Sequence, residues 1–98
     1  MRIRLHREAE REVAGVSDYY GALSPRLRAG FGTELAKAMN RLLQHPASGT
    51  PAGPAAMRRI VVARFPYSVF YQVLGDEILV VAVAHHARRP DYWSGREA

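Results

Sequence analysis

The spacing of apolar residues changes partway along the chain, and that change restricts what it can fold into. Up to about position 44 they recur every three or four residues, and beyond position 56 they gather in short runs. A helical period followed by extended runs places helices first and most of a sheet after them. Ala9, Val13, Val16, Tyr20 and Leu23 mark an amphipathic helix over His6 to Ala22. Leu27, Phe31, Leu35, Ala38, Met39 and Leu42 mark a second, ending near Gln44. Ser24-Pro25 separates them, a good N-cap followed by a proline tolerated at the first helical position. The two stripes therefore predict a helix hairpin that must bury its apolar side against the rest of the chain.

Arg2 to Leu5 alternates basic and apolar residues and reads as a short strand. His45 to Ala56, with three prolines and two glycines, reads as an irregular loop with an exposed tip. Three strand-like runs follow: Met57 to Arg64, Tyr67 to Leu74 and Glu77 to Ala84. The Phe65-Pro66 corner joins the first two. Gly75-Asp76 joins the last two and suits a type II′ hairpin turn. The third run lacks alternation, which predicts cover on both faces. The expected fold class is α+β: an N-terminal strand and helix hairpin packed on a mainly antiparallel sheet, in the order β-α-α-β-β-β. With 98 residues, residues 1–98 form one domain around one small core.

The absence of cysteine excludes a disulfide scaffold and thiolate zinc sites. His85 and His86 are strand neighbours pointing to opposite faces, so they do not share an ion. No metal and no cofactor is expected. The apolar runs fall short of the roughly 20 residues a membrane helix needs. No apolar signal stretch follows Met1, so the chain reads as soluble and cytoplasmic.

Charge is the first pointer to function. Fourteen basic residues face nine acidic ones, and all the basic ones but Lys37 are arginines. Arginine suits bidentate contacts to phosphate or carboxylate. A GC-rich genome is the alternative source of that bias. The densest cluster follows the last strand: His85, His86, Arg88, Arg89, Asp91, Tyr92, Trp93 and Arg96. Such groups suit anion binding or proton transfer on RNA. The plainer alternative is that Tyr92 and Trp93 fold the tail back onto the sheet. A second group is Arg58, Arg59 and Arg64. Arg58 and Arg64 share a face with Ile60 and Val62, while Arg59 faces the other way.

The order of elements resembles the RelE/ParE superfamily of bacterial type II toxins. The residues that carry the resemblance are Ala9-x-x-Glu12 with Asp18-Tyr19-Tyr20, then Phe31, then Arg58-Arg59. Arg64-Phe65-Pro66-Tyr67-Ser68-Val69-Phe70-Tyr71 and Val83-Ala84-His85-x-x-Arg88-Arg89-Pro90-x-Tyr92-Trp93 complete it. The resemblance implies a toxin neutralised by a cognate antitoxin, ParD-like or another small one. RelE-like members cleave messenger RNA on the ribosome, and ParE-like members poison DNA gyrase. The nuclease branch typically carries an arginine where this chain has Ser68. The Phe-Pro-Tyr corner and the tail resemble the ParE-like branch. The expectation is therefore a gyrase-directed toxin, with Arg58, Arg64, Arg88, Arg89, Tyr92 and Trp93 contacting target or antitoxin. Under the alternative, a ribosome-dependent endoribonuclease, His85 or His86 would move the proton. Arg58, Arg64, Arg88 and Tyr92 would complete that site. An exposed strand edge and the groove between hairpin and sheet are the expected antitoxin surface.

Overall fold

The computed structural model describes residues 1–96. The elements are β1 (Arg2–Leu5), α1 (Arg7–Leu23), α2 (Pro25–Gln44), β2 (Thr50–Pro51), β3 (Arg58–Val62), β4 (Tyr67–Leu74) and β5 (Glu77–His85). The strands make one sheet in the order β1-β5-β4-β3-β2. β1 runs parallel to β5, and every other neighbouring pair is antiparallel. The expected α+β order stands, with one short strand added.

Local chemistry sets the helix boundaries. His6 caps α1 rather than opening it, its Nδ1 accepting from the Glu8 N–H at 3.0 Å. Ser24 alone joins the two helices. Its N–H donates to the Tyr20 carbonyl and so ends α1. Its hydroxyl accepts from Arg26 and Leu27 N–H and so starts α2.

The buried stripes of both helices pack on one sheet face, against Ile60, Val62, Val69, Tyr71, Ile78 and Val80. At one end of this core, Tyr20, Phe31, Phe65 and Tyr67 form an aromatic cluster. Its ring centroids lie 5.2 to 6.4 Å apart, mostly edge to face. Tyr19 points away and is 60% exposed.

β5 is covered on both faces, but its missing alternation has a second cause. The ladder with β4 shifts register: Phe70 pairs with Ala82 and Tyr71 with Val80, leaving Val81 unpaired. This β-bulge turns Val81 and Ala82 to the same outer face, while Val80 and Val83 both face the helices. The β4–β5 turn is as expected. Gly75 takes φ +62°, and Asp76 is not among the residues with positive φ.

Two expectations need correction. The His45–Ala56 segment is not wholly irregular, because Thr50–Pro51 pairs with Arg58–Arg59 as β2. Side chains distant in sequence hold it there. Arg58 Nη1 donates to the Gly49 carbonyl at 2.6 Å and to the Ala47 carbonyl at 3.2 Å. The Tyr71 hydroxyl donates to the Pro46 carbonyl and accepts from the Gly49 N–H. A Cβ at position 49 would fall 2.6 Å from that hydroxyl oxygen, so only glycine fits. The second correction concerns β3, which ends at Val62. Arg64 sits in the following turn at φ +70° and does not continue the strand face of Arg58.

Phe31 is fully buried at the centre of the aromatic cluster. Phe31→Ala is expected to lower unfolding free energy by about 3–5 kcal/mol. Tyr19→Ala should change it by less than about 1 kcal/mol. Urea denaturation of both variants checks the pair.

Candidate functional site

On the face of the sheet away from the helices, Ser68 pairs directly with Ala84. Both side chains are small, and their neighbours are not. The resulting hollow is a groove of about 310 Å³. Arg59, His86, Arg88 and Arg89 stand on its walls, with Phe70 and Trp93 at one end. Ser68 is 1% exposed, and its hydroxyl lies 2.9 Å from His86 Nε2. That contact fixes the imidazole over the floor. It also leaves the hydroxyl buried rather than presented to a substrate.

The C-terminal segment closes the groove. It leaves β5 through successive turns: the Arg88 N–H donates to the His85 carbonyl, Tyr92 to Arg89, and Ser94 to Asp91. Trp93 is 4% exposed and packs on Phe70 at 5.2 Å between centroids, with Met57, Leu79, Val81 and Ala82 beneath. The tail therefore folds back on the sheet, and Trp93 supports the groove from inside it.

Glu12 on α1 anchors the tail. Its carboxylate accepts from the Tyr92 hydroxyl, from Arg96 Nη1 and Nη2, and from the Val83 N–H. Arg96 Nη1 also donates to the carbonyl of Val81 at the bulge. The bulge and the end of β1 opposite Val80 leave this stretch of β5 without a strand on that side. Glu12 and Arg96 satisfy its backbone instead. Burial, then the hydrogen bond to Glu12, raises the Tyr92 phenol well above its ordinary range. The Arg88 guanidinium lies 3.8 Å above the Tyr92 ring, so the ring also positions a groove arginine.

The residues singled out from sequence divide into three groups. Arg88, Arg89, His85, His86, Tyr92 and Trp93 all line the groove. Arg58 does not, because its side chain is on the helix side of β3 and holds loop carbonyls. Arg64 does not either, lying exposed in the β3–β4 turn. Arg59 lines the groove instead. The alternation of β3 carried that signal, since Arg59 points away from the core positions Ile60 and Val62. His85 ends on the opposite face from His86, its ring edge to face with Tyr67 at 5.1 Å. Among the described residues no three His, Asp or Glu side chains gather as a metal site would require. The groove's chemistry is that of a fixed cationic surface, suited to holding an anion.

Replacing the anchor should loosen the tail. Glu12→Gln is expected to cost about 2–3 kcal/mol, since it leaves Arg96 part-buried and unpaired. Denaturation followed by Trp93 fluorescence checks this. The raised Tyr92 pKa adds a pH dependence. Its stabilisation is present below the ordinary phenol pKa near 10 and is lost as pH rises through the higher folded value. Tyr92→Phe should therefore flatten the alkaline limb of the stability curve.

Comparison with known proteins places this geometry. The family model described as the ParE toxin of the type II toxin-antitoxin system, parDE, matches residues 3–90. Y4kP of Sinorhizobium fredii, designated a candidate toxin, is 33% identical over 85 residues, covering 86% of this chain and 88% of that protein. A solved chain described as a chromosomal ParDE toxin–antitoxin system from P. aeruginosa superposes with a TM-score of 0.74. It covers 87% of this chain and 95% of its own length at 20% identity, a likeness of fold. The match over residues 3–90 takes in both helices and every strand except Arg2 of β1, and ends at Pro90, just before the segment that Tyr92, Trp93 and Arg96 pin down. The chain belongs to the ParE toxin family of type II toxin–antitoxin systems.

Proposed function

We propose that this toxin acts on DNA gyrase and is neutralised by a cognate, ParD-like antitoxin. The observation that carries the reading is the match to the ParE family across residues 3–90. The site supports it in a second way. The position where nuclease relatives carry an arginine is Ser68, buried and bonded to His86. His85 packs against Tyr67. Among the described residues neither histidine is hydrogen-bonded to a carboxylate: His86 Nε2 meets the Ser68 hydroxyl, and His85 Nδ1 accepts from the Ala87 N–H. The groove arginines then serve as a contact surface, with Arg88 and Arg89 the residues proposed to meet the target.

Purified toxin, free of antitoxin, should cause gyrase to accumulate linear DNA from supercoiled plasmid in the presence of ATP. Linear product is expected only when toxin and gyrase are both present. Exchanging both His85 and His86 for glutamine should leave that activity within a few-fold. A loss of about 10²-fold or more, or messenger RNA cleavage on ribosomes without any effect on gyrase, would instead support the nuclease branch.

The antitoxin surface is proposed on the other side of the tail. Beyond β1, the edge of β5 adjoins a mostly apolar groove of about 240 Å³ lined by Gly15, Val16, Tyr19, Tyr67 and Val83, with Glu12, His85 and Arg88 as its polar residues. Tyr19, which lines it, is 60% exposed, as is Leu23 one turn further along α1. Such a groove fits one face of an amphipathic segment. The toxin's net charge of +5 favours an acidic one. Association with the antitoxin is expected to slow markedly between 50 and 500 mM salt, with dissociation changing less. Stopped-flow measurement of both rates checks this, and an association rate independent of salt would contradict it.

A further inference from the structure

The outer groove holds more positive charge than its neighbourhood neutralises. Arg59, Arg88 and Arg89 all line it, and among the described residues none of the three forms an ion pair. Among the described residues Asp91 is the one acidic residue lining it. The arginines come from different elements: Arg59 from β3, and Arg88 and Arg89 from the turns after β5. The Arg88 guanidinium is held in place, and Arg59 projects from a fixed backbone. Arg59 stands on a strand paired on both sides, and Arg88 rests on the Tyr92 ring. Preorganised guanidinium groups lose less freedom on binding, and their forks match phosphate oxygens.

We propose that this groove binds the phosphodiester backbone of duplex DNA, without regard to sequence and without gyrase. The aromatic residues of the site argue for backbone contact rather than base stacking. Trp93 is buried, Phe70 packs against it, and the Tyr92 face is covered by Arg88. No phenylalanine, tyrosine or tryptophan ring of the groove is therefore offered to an unpaired base, as single-strand binders need, and the His86 imidazole is tied to the Ser68 hydroxyl at 2.9 Å. A duplex presents phosphates at close, regular spacing and requires only fixed cations. This activity is separate from the gyrase reading, because it belongs to the toxin alone.

The test is fluorescence anisotropy of a labelled 20-base-pair duplex with antitoxin-free toxin, repeated at several salt concentrations. Three phosphate contacts give a slope of log Kobs against log salt of roughly −2.7. Arg59→Ala, Arg88→Gln and Arg89→Ala should each make that slope shallower by about 1. Arg88→Gln keeps a polar stem over Tyr92, so the tail stays closed. Arg26→Ala removes the same charge from α2, outside the groove, and should leave the slope unchanged. Equal weakening by Arg26→Ala would overturn the proposal, because net charge alone would then explain binding. Absence of binding at 50 mM salt would also overturn it. So would tighter binding of a single strand of equal length, which would make the ligand unpaired nucleic acid. Gyrase inhibition by the same preparations is scored separately, so failure of either reading is visible without the other.

Discussion

Glu12 joins three parts of the molecule that lie far apart in sequence. It projects from α1, receives the Val83 N–H at the β-bulge, and holds Tyr92 and Arg96 of the tail. β1 stops opposite Val80, so beyond it, past the bulge, backbone groups of β5 have no strand partner on that side, and an unpaired buried amide is costly. A carboxylate and a guanidinium supply what a sixth strand would have supplied. Once the tail is fixed in this way, Trp93 is pressed onto the sheet and the outer groove gains its end wall.

The two faces of the sheet then serve different ends. The helix side is filled by a packed aliphatic and aromatic core. The outer side is covered less thickly, because Trp93 packs on Phe70 and the bulge while the small pair Ser68 and Ala84 forms the groove floor, with His86 bonded to Ser68. Cationic side chains surround that floor. His85 and Arg88 line both this groove and the apolar groove beside α1. The two surfaces therefore share residues, and a partner seated on one is in contact with walls of the other.

Much of this was legible in the sequence. The apolar spacing located both helices to within a residue, and Ser24-Pro25 located the break between them. Strand alternation put Arg59 on the face opposite Ile60 and Val62, without saying which of the two faces meets the helices. The cluster after β5 was visible as a dense run of histidine, arginine and aromatic residues. What was hidden depended on contacts between distant residues. β2 has only two residues and no periodicity, and it exists because Arg58 and Tyr71 hold the preceding loop. For the same reason Arg58 looked like a free cation but is a structural clamp. Glu12 stood out only as part of the pattern Ala9-x-x-Glu12, and its role as an anchor did not show, since nothing in its local chemistry distinguishes it from Glu8 or Glu10.

The sequence by itself determined both helices, every strand but β2, their order and the family resemblance, because helix caps, hairpin turns and hydrophobic period are set by neighbours a few residues apart. Only the tertiary structure decided which charges stay free. Pairing of Glu12 with Arg96, 84 positions away, and capture of Arg58 by loop carbonyls remove two arginines from the available set. Arg59, Arg88 and Arg89 remain around the groove. Electrostatic pairing depends on distance in space, and distance along the chain does not report it.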